Sequence, residues 1–387
     1  MKEFGEMALL PAGLRDILPP DAAFEARVVE RLLAGFTAQG YAQVKPPLIE
    51  FEESLLSGAG AAMTAHTFRL MDPVSQRMMG LRADITPQVA RIAATRLQNA
   101  PRPLRLCYAG QTLRIKGSQL RPERQVGQAG VELIGGASAG ADAEVVLVAA
   151  EALQAVGVPN LTVDLTLPTL VPALASGLGF ADATVRSLVA TLDRKDAPAI
   201  QAIAGGHAPR FVALMRAAGP ARRAMAALQA LDLPATAAAE RAHLGEVVDL
   251  ILTAAPDLNL TIDPVEHRGF EYHTGVSFTL FARRVRGELG RGGRYLSGDS
   301  ESSTGFTLYM DTLLRALPQP IAARRVFVPA GTPRATAARL REEGWVTVAG
   351  LDRLADPRRE ARRQACSHAL VDGEIQAVGG TKKEERP

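Results

Sequence analysis

Cysteine is almost missing from this 387-residue chain: Cys107 and Cys366 stand far apart and form no CxxC or Cys/His cluster. That excludes a disulfide framework and a structural zinc site, and reads both as ordinary thiols. Long apolar runs are missing too, and the N-terminus lacks the basic region, apolar stretch and cleavage site of a signal peptide, so no membrane association is expected. The expected location is the cytoplasm. An excess of either charge is also absent, since 44 basic residues face 41 acidic ones for a net charge of +3, and nucleic acid is therefore not an expected partner. The densest basic stretch, Arg358, Arg359, Arg362 and Arg363, has no interleaved aromatic residue to stack on bases and reads as a solvated helix face. What the chain does have is core material, with 47% hydrophobic residues and a length that fits two or three domains.

Pro19, Pro20 and Asp21 punctuate the start of a helix in which Phe24, Val28, Leu32 and Phe36 recur every four residues, a core stripe. The segment Tyr41 to Glu50 is extended, and its prolines suit a sheet edge or an intersubunit contact. Arg82-Ala-Asp-Ile-Thr-Pro87 opens a helix with Thr86 as N-cap and Pro87 as the first helical residue, and Val89, Ile92 and Leu97 face inward. From Leu104 to Ile134 two alternating strands form an antiparallel hairpin, and Gln128 and Glu132, four apart, share one face. That face is either solvated or turned towards a pocket. A strand runs from Leu161 to Leu167, and residues 169–256 then shift to an alanine-, leucine- and arginine-rich, all-helical insertion with breaks at Gly205, Gly219 and Pro234. The sheet resumes near Leu258. Gly290-Arg-Gly-Gly293 has neither a Walker lysine nor a dinucleotide fingerprint, and as a phosphate loop it is a weak signal. Residues 321–380 alternate strands and helices as a small α/β domain, and the tail 381–387 is expected to be disordered.

Several strings resemble histidyl-tRNA synthetase, a class II aminoacyl-tRNA synthetase. Gln128-Ala-Gly-Val-Glu132 matches its Gln-x-Gly-x-Glu; His267-Arg-Gly-Phe-Glu-Tyr-His-Thr-Gly275 resembles its Arg-Gly-Leu-Asp-Tyr-Tyr-Thr-Gly signature; Gly292-Gly-Arg-Tyr295 matches its Gly-Gly-Arg-Tyr loop. The segment around Pro47 is similar to the first class II signature, which in that family forms the dimer interface. The resemblance implies an α+β fold, a class II antiparallel sheet flanked by helices, built from residues 1–168 and 257–320. It further implies a histidine pocket of Asp84, Thr86, Arg114, Gln128, Glu132, Arg268, Tyr272, His273 and Tyr295. Asp84 fits both an ammonium contact and a helix cap, and His273 fits both a ligand contact and a structural hydrogen bond. His267 reads as structural.

The catalytic half of the pattern is broken. Lys116 stands where the second class II signature has a glutamate, Tyr309 where a glycine is expected, and Thr312 where the ATP-gripping arginine belongs. A kept amino-acid pocket with a damaged ATP signature resembles the regulatory subunits of ATP phosphoribosyltransferase, non-catalytic synthetase paralogues of histidine biosynthesis. That family implies no catalytic residues, cofactor or metal of its own. It implies pairing with a short-form catalytic subunit, which condenses ATP with phosphoribosyl pyrophosphate, histidine as feedback effector, and a dimer within a hetero-octamer. The rival readings are a working histidyl-tRNA synthetase and a free-standing histidine- or tRNA-binding module.

Overall fold

The computed structural model describes residues 9–56, 58–117, 122–267, 272–298, 300–320 and 322–379, and divides into two compact units, 1–318 and 319–387. Arg268 and the tail 381–387 lie outside the described residues.

The first unit carries the strands β1 (Ala42–Gln43), β2 (Ile49–Phe51), β3 (Arg69–Met71), β4 (Met78–Leu81), β5 (Leu104–Leu113), β6 (Gln125–Ile134), β7 (Leu161–Thr166), β8 (Gly219–Pro220), β9 (Asn259–Asp263), β10 (Ser277–Ala282), β11 (Gly290–Ser297) and β12 (Glu301–Tyr309). Nine of them form one sheet in the order β1-β5-β6-β12-β11-β10-β7-β9-β8. Its pairs are antiparallel except β1 with β5 and β7 with β9. β2, β4 and β3 make a small antiparallel sheet that the sequence pattern had not announced.

Alternation on β6 sorts the two faces of the large sheet. Ala129, Val131 and Leu133 enter the main core, together with Val28, Leu32 and Phe36 of the helix Asp21–Ala38. The helix Ala139–Val156 packs against that helix and against Ala235–Ala254. Its small side chains are buried on nearly every turn, and Gly157 ends it in the left-handed region at φ 100°. The other face carries Gln128, Gly130, Glu132 and Ile134. Ile134 joins Ile85, Val89 and Ala93 of the covering helix Thr86–Thr95, with Leu97 half-buried beside them.

The expected cap of that helix is corrected. Thr86 is its first residue, Ile85 is the cap position, and the Asp84 carboxylate accepts the Thr86 N–H at 3.1 Å. Residues 170–254 are helical as expected, except that β8 adds two residues to the sheet edge beside β9. Gly290–Tyr295 is strand rather than loop.

The second unit is a sheet of β13 (Arg325–Val328), β14 (Val346–Ala349), β15 (His368–Val371) and β16 (Glu374–Ala377), ordered β14-β13-β15-β16. Helices Arg334–Glu342 and Pro357–Arg363 accompany it, the second capped by the Asp356 carboxylate. Arg358, Arg359, Arg362 and Arg363 are exposed, as a solvated face requires.

Candidate functional site

A row of glycines opens the floor of the site. In the sheet register Gly130 lies between Tyr108 on β5 and Thr307 on β12, and Gly305 lies between Glu132 on β6 and Gly293 on β11. With no side chain on Gly130, the Tyr108 hydroxyl reaches the Thr307 hydroxyl at 2.8 Å, where a Cβ on Gly130 would stand 2.6 Å from the Tyr108 oxygen. A Cβ on Gly305 would stand 1.9 Å from Glu132 Oε2. These absences are what let a carboxylate and three hydroxyls meet above the strands.

Glu132 is 1% exposed. Tyr108 donates to its Oε1 at 3.3 Å and Tyr295 donates to its Oε2 at 2.8 Å. Burial pushes the Glu132 carboxyl up to about 8, against the hydrogen bonds of Thr86 and Tyr295 and with help from the charge of Asp84. The Tyr295 hydroxyl is likewise raised, by burial and then by Glu132. Thr86 closes the hydroxyl group, 3.2 Å from Tyr108 and 3.5 Å from Thr307.

Gln128, also 1% exposed, accepts the Ile85 N–H through Oε1 at 3.2 Å. Its Nε2 is buried with no hydrogen-bond partner among the described residues. The amide is thereby fixed with its donor unspent, the state expected of a group that completes its bonding on a ligand acceptor. Asp84 is raised by desolvation, and the charges of Arg114 and Arg291 pull it back down. Of the two roles the sequence allowed, the structure displays the tie to the helix start, and the carboxyl sits beside the Glu132 cluster.

The aromatic wall comes from the segment before β10. The Tyr272 and His273 rings lie 3.9 Å apart, and Tyr272 meets Tyr295 edge-on at 6.4 Å. Tyr272 stays 38% exposed whereas His273 is buried. A Cβ on Gly293 would stand 2.7 Å from the His273 ring. Of the nine residues named from the sequence, Asp84, Thr86, Gln128, Glu132, Tyr272, His273 and Tyr295 converge, and Arg114 acts on Asp84 through its charge. Arg268 is outside the described residues.

Tyr108, Thr307 and Arg291 were missed. Their signal was period two: Arg291 shares a face of β11 with Gly293 and Tyr295, and Tyr108 faces Gly130 across the hairpin. A second missed group anchors the wall from behind. Arg294 is 7% exposed and donates to Asp142 from Nε at 3.1 Å, to Gly136 O at 2.8 Å and to Ser138 O at 3.0 Å. Its backbone pairs with Val276 and Thr274, and His243 of the helical stretch stands 2.8 Å from the same Asp142.

The positions of the broken ATP signature are filled. Tyr309 ends β12 at 6% exposure, and Thr312 is 0% exposed in the helix Met310–Ala316. A polyphosphate needs paired cations in a fixed fork, and a sealed threonine supplies none.

The histidyl-tRNA synthetase family profile matches residues 13–313. An ATP phosphoribosyltransferase regulatory subunit of Paramagnetospirillum magneticum is 62% identical over 96% of this chain and 98% of its own. One from Rhodospirillum rubrum is 55% identical over 94% and 96%. Among solved structures, an ATP phosphoribosyltransferase regulatory subunit/histidyl-tRNA synthetase from Bacillus halodurans superposes with a TM-score of 0.78 at 23% identity, covering 92% of this chain and 96% of that one. Histidyl-tRNA synthetase from Nostoc gives 0.79 at 16%, covering 94% and 91%. These two establish the class II synthetase-like fold. Fold and relatives agree: the chain belongs to the regulatory subunits of ATP phosphoribosyltransferase in histidine biosynthesis, histidyl-tRNA synthetase-like proteins that are not enzymes on their own.

Proposed function

We propose that this chain binds free histidine in the Glu132 pocket and conveys feedback inhibition to a separate short-form ATP phosphoribosyltransferase catalytic subunit, which also depends on it for activity. The observation that carries the reading is the contrast within one site. The cluster of the half-buried Asp84 with the buried Glu132, Tyr108 and Tyr295 is intact, while Thr312, where an ATP-gripping arginine is expected, is fully enclosed. Glu132 and Asp84 complement a ligand ammonium, and Gln128 Nε2 offers a donor to a ring nitrogen or carboxylate. Self-association is part of the reading: Leu48, Ile49, Met71, Val74 and Met78, on or beside the small sheet, expose 36–90% of their surface and suit a dimer within a hetero-octamer. The proposed setting is the cytoplasm, with no nucleic acid in the assembly.

A ligand remote from the catalytic centre changes activity only by favouring one state of the complex, with a typical coupling of about 1–3 kcal/mol. The test is to purify the chain with a candidate catalytic subunit and titrate histidine against the phosphoribosyl transfer. Inhibition is expected, and Arg268→Ala should raise the histidine required while preserving assembly. Normal inhibition at unchanged histidine in that variant would move the feedback site to the catalytic subunit. Saturable ATP binding with histidine-dependent pyrophosphate exchange would instead make the chain a working synthetase.

A further inference from the structure

The Glu132 carboxyl is placed where a lone negative charge is poorly held. It is 1% exposed, and the partners that hydrogen-bond it among the described residues are hydroxyls: Thr86, Tyr108 on Oε1 and Tyr295 on Oε2. Each element around it presents its own groups. Helix Thr86–Thr95 and the residues before it bring Asp84 and Thr86; β5 brings Tyr108 and, just beyond its end, Arg114; β11 brings Arg291 and Tyr295; β12 brings Thr307 and Tyr309; the segment before β10 brings Tyr272 and His273. Among the described residues, the cations nearest the site act on Asp84, which feels the charges of Arg114 and Arg291, and Arg291 also pairs with Glu288 at 2.7 Å.

Resting on the histidine reading above, we propose that Glu132 determines specificity for a cationic ligand by proton exchange, holding a proton in the empty pocket and giving it up when the ligand's ammonium arrives. The O–H bond of the carboxylic acid breaks, the proton passes to bulk water, and a carboxylate–ammonium pair remains. Burial of the empty site supports the protonated form, with the carboxyl pushed up to about 8. Proton and ligand then compete, so histidine affinity rises with pH as the carboxyl ionises and falls again once the ligand's own ammonium loses its proton. Feedback inhibition would be blunted in an acidified cell.

Calorimetry of the full chain with histidine at pH 7.0, in phosphate and in Tris, counts the protons exchanged from the dependence of the observed heat on buffer ionisation enthalpy. Net release of protons on histidine binding is expected, because the raised carboxyl holds its proton at this pH in the empty pocket. Glu132→Gln should bind more weakly and release none, and Asp84→Asn should still release. Saturable binding by the natural chain with no proton released overturns the inference and leaves the histidine reading standing. Absence of any saturable heat overturns the histidine reading itself. Release abolished by Asp84→Asn yet kept by Glu132→Gln overturns the assignment to Glu132.

Discussion

Two carboxylates in this protein are almost equally dry, Asp142 at 2% exposure and Glu132 at 1%, and they are held in opposite ways. Asp142 meets a buried arginine, with Arg294 Nη2 at 2.9 Å, and a histidine at 2.8 Å. Glu132 meets hydroxyls. A side chain that serves architecture brings its counter-charge with it, because an unpaired buried ion is costly and nothing later relieves it. A side chain that serves binding can leave the counter-charge to the ligand. The two lie on opposite sides of β11, which points Tyr295 at Glu132 and Arg294 at Asp142.

That contrast is sharpest in what removal should do. Arg294→Ala leaves the buried Asp142 with His243 in place of a fixed cation and is expected to destabilise the first unit by roughly 3–5 kcal/mol in urea unfolding; a loss below about 1 kcal/mol would erase the distinction. Glu132→Ala should leave stability intact while weakening histidine binding by roughly 2–5 kcal/mol in calorimetry. Unchanged affinity in a folded Glu132→Ala protein would transfer the cation role to Asp84. Gly305→Ala puts a methyl group against Glu132 Oε2 at 1.9 Å, so the carboxylate or β12 must shift; a cost of roughly 1–3 kcal/mol to folding is expected, with weaker histidine binding.

The pH dependence has a definite sign. Glu132 is raised in the folded chain, so between about 4.5 and about 8 the native state holds more protons than the unfolded one. Its contribution to stability is therefore full at the acid end and is lost as pH rises through about 8, at no more than about 1.4 kcal/mol per pH unit. The natural chain should lose melting temperature from pH 5 to 8 relative to Glu132→Gln, and coincident curves would contradict a buried carboxyl held, among the described residues, by hydroxyls. Arg362→Ala, on the exposed face of the second unit, should change neither melting temperature nor histidine binding.

Much of this was legible in the residues because the strongest signals are periodic. The hairpin Leu104–Ile134 pairs antiparallel as read, and the spacing of Gln128 and Glu132 placed both on one face. The stripe through Val28, Leu32 and Phe36 is buried as read. The β2-β4-β3 sheet was illegible because three- and four-residue strands carry too little alternation. Gly292–Tyr295 was read as a loop from its likeness to the synthetase Gly-Gly-Arg-Tyr loop, and it is strand: a Cβ on Gly292 would stand 2.3 Å from the Gly305 carbonyl, so the neighbouring strand itself demands glycine there. Tyr108 and Arg291 were hidden for a related reason, since their place in the site depends on the register between strands distant in sequence.

The ends of the nine-stranded sheet bear on how the protein behaves when crowded. Each outermost strand is two residues long: Ala42–Gln43 is soon followed by Pro46 and Pro47, and Gly219–Pro220 itself ends in proline. A proline has no N–H to offer, so neither margin presents the long row of free donors and acceptors on which another chain could polymerise. A sheet that terminates itself in this way leaves side-chain surfaces, rather than backbone ladders, to decide which chains it joins.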